Sequence, residues 1–133
     1  MLLLDLDETL YPRGNGVLAR TDACITAWVA ARLGLPHEEA TRLREELWRA
    51  HGTTLRGLVV RYGVEPDDYL ERVYRSDLSD LLRPDPALRA LLERLPGRKA
   101  VLTNAPRYHA RNVIGLLAIG DAFEDVIALR RQA

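Results

Sequence analysis

Cysteine, lysine and long apolar runs are scarce in this sequence. Its 133 residues include one cysteine, Cys24, so no disulfide can form within the chain. No stretch approaches the ~20 consecutive apolar residues that a membrane-spanning helix needs, and the apolar opening at residues 1–6 is too short for a signal peptide. We therefore expect a cytoplasmic protein without a membrane partner.

The sequence also lacks an excess of charge of one sign. Its 19 Lys and Arg residues balance 19 Asp and Glu residues, so the formal net charge is zero. Proteins that bind nucleic acids usually carry a basic surface, and this balance predicts no nucleic-acid partner. A chain of this length can bury one core with a small appended subdomain.

A short apolar run opens the chain and ends in acidic residues. Residues 1–6 read MLLLDL, which is typical of a strand buried on both faces of a parallel sheet. Asp5, Asp7 and Glu8 follow at its carboxyl end, where open α/β sheets bind their ligands. Their mutual repulsion favours a divalent cation, and their oxygen ligands favour Mg²⁺ over zinc.

The spacing of the first two acids suggests a division of labour. In an extended strand Asp5 and Asp7 point to the same face, so one carboxylate could attack a substrate while the other carries a proton. The structural alternative is that Asp7 or Thr9 only caps the turn after the strand. The pattern by itself leaves both interpretations open.

The middle of the chain is helical in every apolar pattern. We predict four helices, at residues 21–33, from Pro36, at 53–62 and from Val64 onward. The predicted fold is α/β, a partial Rossmann-like parallel sheet core with a helical cap inserted after the first strand. The core would comprise residues 1–13 and 83–133, and the cap residues 14–82.

A second apolar strand ends in a polar pair. Residues 99–102 form this strand, Thr103 and Asn104 follow it, and a helix is predicted at 107–117 with a third strand at 123–129. A Thr hydroxyl beside successive backbone amides at a helix start is a natural phosphate site. A simple helix cap is the alternative.

These motifs carry a family resemblance. DLDETLYP resembles the first motif of the haloacid dehalogenase-like hydrolases, and the TN pair matches their second motif in order and context. The cap segment HGTTLRGLVVRYGV and residues 82–127 are similar to the pyrimidine 5'-nucleotidase branch of that superfamily. Dehalogenase members lack the second Asp, so Asp7 favours a phosphatase.

The resemblance implies a Mg²⁺-dependent phosphomonoesterase acting on a nucleoside monophosphate or another small phosphate. Asp5 would be the nucleophile that forms an aspartyl-phosphate, and Asp7 the general acid and then base. Mg²⁺ would be held by the Asp5 side chain and the Asp7 backbone carbonyl. Phosphate contacts are implied at Leu6, Thr103 and Asn104.

Two further regions, one in the cap and one after the TN pair, have both a functional and a simpler interpretation. In the cap, Thr53 and Thr54 could donate to a sugar and Arg56 could reach a phosphate or a base, although a helix cap and a solvated arginine are simpler. His109 lies at a family-like position after the TN pair. Because it falls on a predicted helix, we interpret it as an ordinary surface or packing residue.

The chain departs from the family pattern towards its end. A third-motif Lys and fourth-motif acids are expected further on, and Lys99, the only lysine, precedes its strand. One alternative is therefore a catalytically incomplete, truncated domain with a binding role or no independent role. A haloacid dehalogenase is a second alternative, which Asp7 disfavours. Without the sheet strands that the family pattern places beyond these motifs, the first strand would have an open apolar edge that invites self-association.

Overall fold

The computed structural model describes residues 1–129 and confirms the α/β class. Three strands form a small parallel sheet, and five of the six described helices lie between the first and second strands in sequence. In chain order the elements are β1 Leu2–Asp5, α1 Val17–Leu33, α2 His37–His51, α3 Thr54–Tyr62, α4 Pro66–Val73, α5 Pro86–Arg94, β2 Lys99–Thr103, α6 Arg107–Leu116, a 3₁₀ turn Gly120–Ala122, and β3 Asp125–Ala128.

The chain forms two compact units. Among the described residues, one consists of residues 1–18 and 77–129, and the other of residues 19–76. We call them the sheet unit and the helical unit. Residues 130–133, which fall in the predicted core, lie outside the described residues. None of the helices within residues 1–129 has the length and apolar character that a bilayer crossing requires.

All three strands of the sheet unit are parallel, in the order β1-β2-β3. Asp5 at the end of β1 pairs with Leu102, and Thr103 at the end of β2 pairs with Ala128. The carboxyl ends of the strands therefore meet at one edge of the sheet. This edge brings the DLDET and TN segments together.

The core of the sheet unit extends into the loop that follows β1. Leu6, Leu10 and Tyr11 are buried in one cluster with Val101 of β2 and Val113 of α6. Burial of three apolar groups from a six-residue stretch provides a strong hydrophobic contribution. The loop that carries Asp7 is thereby anchored at both ends.

The first strand differs from the prediction of two buried faces. Leu2 and Leu3 are 37% and 48% exposed, and Leu4 is only partly buried. Within residues 1–129 β1 is an edge strand that pairs with β2 alone. The apolar run thus predicted the strand correctly but not its burial.

The start of the first helix also differs from the prediction. α1 begins at Val17, several residues before the expected Thr21 or Asp22. The side chain of Asn15 accepts a hydrogen bond of 3.1 Å from the Val17 backbone N–H. Asn satisfies the free donors at a helix start well, but here it lies between Gly14 and Gly16, where the sequence is also typical of a turn.

The helical unit has its own core. Val29, Leu47 and Leu58 are fully buried there, and the ring of Trp28 packs edge-on against Tyr69 at 5.4 Å between centroids. α2 and α3 approach closely at Gly57, where an added Cβ would lie 2.7 Å from the Leu47 Cβ. This glycine is therefore required by packing and not by a special backbone conformation.

Candidate active site

The chain leaves the extended conformation directly after Asp5. The carbonyl of Leu6 accepts hydrogen bonds from the backbone N–H groups of Thr9 at 3.2 Å and Leu10 at 2.9 Å, which closes a helix-like turn. Glu8 lies in this turn with φ of 60°, a left-handed conformation that non-glycine residues rarely adopt. β1 therefore ends at Asp5, and the alternation of side chains along a strand, from which we expected Asp5 and Asp7 to point to the same face, does not extend to Asp7.

Asp5 is exposed at the carboxyl end of β1. The hydroxyl of Thr9 donates to its Oδ2 at 3.2 Å. This contact orients the carboxylate while leaving it accessible to a ligand. An ionised carboxylate in such a position can serve as a nucleophile or as a metal ligand.

Asp7 is held by two side chains on the same oxygen. The hydroxyl of Tyr11 donates to Asp7 Oδ1 at 2.8 Å, and Nε2 of His109 lies 3.0 Å from the same atom. Tyr11 and His109 are only 4% and 3% exposed, whereas the Asp7 side chain is 36% exposed. An ionised carboxylate can only accept hydrogen bonds, so Nε2 of His109 can pair with ionised Asp7 only in the tautomer or charge state that carries a proton on that nitrogen.

Of the two ordinary interpretations of His109, the surface position is wrong, and packing alone does not describe the residue. The residue is buried and reaches Asp7 across 102 positions of the chain. Its position on α6 offered one signal, because Ala110, Val113 and Ile114 lie close to it on the buried face of that helix. A helical period can reveal that a side chain points inward, but not which distant group it meets.

Tyr11 is a second residue that sequence reasoning missed. Its burial, together with the nearby negative charge of Asp7, raises the pKa of the Tyr11 hydroxyl far above its ordinary value. The hydroxyl therefore remains protonated and donates to Asp7 at every physiological pH. The available signal was a tyrosine four residues after an acid, directly behind the apolar Leu10.

The TN segment lies at the same edge of the sheet. Thr103 is 2% exposed, and its Oγ1 accepts a hydrogen bond of 3.0 Å from the backbone N–H of Ala105. Pro106, not Thr103, occupies the residue before α6, so Thr103 is not a helix cap. Asn104 is exposed beside it. The Leu6 side chain is fully buried, which leaves only its backbone for a ligand.

Lys99 lies at the opposite edge of the sheet. It pairs with Leu2 at the amino ends of β1 and β2, and its Nζ donates to the carbonyl of Gly97 at 3.1 Å. Lys99 lies at the start of its strand, as expected from the sequence, and away from the acids at the carboxyl end of β1. Lys99 therefore does not offset the charge of Asp5 and Asp7 by direct contact.

The described residues offer a small oxygen donor set for a cation. Within residues 1–129 no group of three or more His, Cys, Asp and Glu side chains could hold a metal. Mg²⁺, however, commonly uses one or two protein carboxylates and completes its shell with water and substrate phosphate. The exposed Asp5 carboxylate and the Asp7 backbone carbonyl are oxygen ligands of the type that such a Mg²⁺ site uses.

The three candidates for substrate contact in the helical unit differ in their surroundings. Thr53 precedes α3, and its Oγ1 accepts a hydrogen bond of 3.0 Å from the Arg56 backbone N–H. Thr54 is 7% exposed and donates to the carbonyl of Arg44 at 3.1 Å, so its hydroxyl is used within the unit. The side chain of Arg56 is exposed.

Similarity to known proteins extends over most of this chain. No family model matches the chain. The chain is similar to "Phosphate metabolism protein 8" of Saccharomyces cerevisiae, with 28% identity over 141 aligned residues. The alignment covers 95% of this chain and 42% of the yeast protein, so the chain spans less than half the length of that relative.

Proposed function

We propose that this chain carries the nucleophile and the acid–base residue of a haloacid dehalogenase-like phosphatase, a hydrolase of phosphate monoesters. The observation that carries the proposal is the pair of carboxylates at the carboxyl end of β1. One of them, Asp5, is exposed, and the other, Asp7, has one oxygen held by two buried side chains. The similarity to a yeast protein named for phosphate metabolism supports phosphate chemistry.

In the proposed first step Asp5 attacks the phosphorus atom of the ester. A bond forms between a carboxylate oxygen of Asp5 and phosphorus while the bond to the leaving oxygen breaks. The exposure of Asp5 and its contact with Thr9 support this role, because the carboxylate is accessible and oriented. The product is an aspartyl-phosphate on Asp5.

Asp7 handles the proton in both steps. It gives a proton to the leaving oxygen in the first step, and then accepts one from the water that attacks the aspartyl-phosphate. That attack breaks the bond between Asp5 and phosphorus and releases inorganic phosphate. The carboxyl group of Asp7 ends each cycle in its initial state.

Thr103 and Asn104 are proposed to bind the phosphate, together with the backbone at Leu6. Thr103 ends β2 and Asn104 follows it, on the side of the sheet where Asp5 ends β1. Mg²⁺, held by the Asp5 side chain and the Asp7 backbone carbonyl, would neutralise negative charge on the phosphate. We propose a nucleoside monophosphate or another small phosphate as substrate, in a cytoplasmic protein.

A catalytically incomplete domain is the second candidate. Lys99 lies at the edge of the sheet away from the acids, and β1 exposes Leu2 and Leu3. These observations favour a sheet that is completed by another segment or by a second copy of the chain. The phosphate-binding edge would then act only in the completed sheet.

The deciding experiment is hydrolysis of p-nitrophenyl phosphate and of UMP by the purified chain, with and without Mg²⁺. The control is Asp5→Asn, which keeps the size of the side chain and removes the nucleophile. Mg²⁺-dependent activity that disappears in the Asn variant would support the proposal. A folded wild-type chain that releases no phosphate from either ester would refute it and favour the incomplete domain.

A further inference from the structure

Two buried donors from different parts of the chain meet on a single oxygen of Asp7. We propose that Tyr11 and His109 are positioning residues that occupy Asp7 Oδ1, so that Oδ2 alone exchanges the proton with the leaving group and the water. This inference rests on the proposed function and adds to it two residues and the identity of the reacting oxygen.

The capacity of a carboxylate oxygen supports this assignment. Each oxygen accepts about two hydrogen bonds. The Tyr11 hydroxyl at 2.8 Å and the His109 Nε2 at 3.0 Å therefore fill Oδ1. A proton on Oδ1 would displace one of these donors, whereas a proton on Oδ2 displaces neither. The arrangement thus favours Oδ2 as the protonated oxygen.

The two donors are fixed independently of each other. Tyr11 is anchored in the core behind the loop of Asp7, and His109 is buried on α6, the helix that follows the TN segment. A buried hydroxyl or imidazole without a hydrogen-bond partner is unfavourable, so movement of Asp7 away from either side chain would cost free energy. The direction of Oδ2 is therefore set from two sides.

The proposed proton path balances through Oδ2. Its proton moves to the leaving oxygen as that oxygen separates from phosphorus, and Oδ2 then takes a proton from the attacking water. Tyr11 and His109 keep their own protons throughout. Oδ1 accepts from both of them whether or not Oδ2 is protonated, so the clamp persists through the cycle.

The first test compares esters that differ in their need for an acid. UMP leaves a poor alkoxide that must be protonated, whereas p-nitrophenyl phosphate leaves a stable phenolate. Because kcat/KM reports the first step, in which only UMP needs an acid, we expect Tyr11→Phe and His109→Leu each to lower kcat/KM for UMP about tenfold, with kcat/KM for p-nitrophenyl phosphate changed less than about twofold. His109→Gln, whose amide can donate in place of Nε2, should recover most of the loss.

Matched substitutions in the helical unit serve as controls. Tyr69→Phe removes a hydroxyl from another buried tyrosine, and His37→Leu replaces an exposed histidine. Both should leave the ratio of the two kcat/KM values unchanged. Equal losses on both esters in Tyr11→Phe, or no recovery in His109→Gln, would overturn the inference while leaving the phosphatase function intact.

The second test does not depend on activity. Nitrogen-15 NMR distinguishes the tautomers of the three histidines, and His109→Gln assigns the signal of His109. We expect a proton on Nε2 of His109. A bare Nε2 would overturn the inference because it cannot donate to the carboxylate. If wild-type protein hydrolyses neither ester, the proposed function fails, and a protonated Nε2 still supports the clamp on Oδ1.

Discussion

The substitution Gly57→Ala in α3 should destabilise the helical unit, although alanine is the better helix former. The new Cβ would lie 2.7 Å from Cβ and 2.8 Å from Cδ2 of Leu47, and 3.0 Å from Cδ2 of His51. Leu47 is fully buried. A change of its rotamer moves Cδ2 but not Cβ, so α2 and α3 must separate to accept the methyl group.

The two opposing effects can be compared in magnitude. Replacement of Gly by Ala inside a helix contributes ~1 kcal/mol in favour of folding. Overpacking of a well-packed core costs ~1–3 kcal/mol, and a contact that no rotamer can relieve belongs at the upper end. We therefore expect a net destabilisation of ~1–2 kcal/mol.

The chain offers a matched control for this substitution. Gly115 of α6 has no heavy atom within 4 Å of its added Cβ. Gly115→Ala should therefore stabilise the sheet unit by ~0.5–1 kcal/mol, because only the helix-propensity effect remains. The two identical substitutions are expected to have opposite signs.

Urea unfolding measures the change in the free energy of unfolding that each substitution causes. Both tryptophans, Trp28 and Trp48, lie in the helical unit, so intrinsic fluorescence follows that unit. Far-UV circular dichroism follows both units through their helices. A Gly57→Ala protein as stable as wild type by fluorescence would show that α2 and α3 are not packed as closely as described, and would refute the reasoning.

Three further outcomes are expected. Asp7→Asn should lower UMP hydrolysis ~10²–10⁴-fold, whereas a dehalogenase would not depend on this acid, so retained phosphatase activity would contradict the role of Asp7. Arg89 donates to Asp121 at 2.6 Å and lowers the pKa of that carboxyl below its ordinary 3.8, so this pair stabilises above pH 3.8 and loses its effect as the pH falls below it. Thermal melts of Asp121→Asn and wild type should therefore differ at pH 7 and converge in acid, and a constant difference would exclude the ion pair as the cause. Leu3→Lys on the exposed β1 should reduce any self-association measured by analytical ultracentrifugation, because charged side chains on an edge strand hinder pairing, and an unchanged sedimentation profile of a self-associating chain would rule out that edge.

Local patterns in the sequence were enough to predict most of the elements. Proline and glycine mark where elements end, and the spacing of apolar residues indicates their type. Together they predicted β2 and α6 to within one residue of the observed bounds. The start of α1 was missed because Asn15 sits among glycines and reads as a turn. A capping residue inside a turn-like segment gives a weaker signal than one before a clear apolar period.

The candidate site was less accessible to sequence reasoning than the fold. The acids of DLDET and the TN pair could be named because each follows a short apolar strand. The contacts on Asp7 could not, since one donor depends on the turn geometry after Asp5 and the other, His109, lies 102 positions away. A contact between residues so far apart depends on the tertiary fold, and no repeating pattern in the nearby sequence indicates it.

The register of β1 with β2 also determines the order in which the chain can fold. Leu2 pairs with Lys99, so closing this ladder brings together residues almost a hundred positions apart, whereas α2 and α3 are neighbours in sequence. Local contacts form faster than distant ones, and synthesis delivers the helical unit well before β2. The strand that bears Asp5 is thus made first and paired late, so the acids meet Thr103 and His109 only after the helices between them have had time to fold.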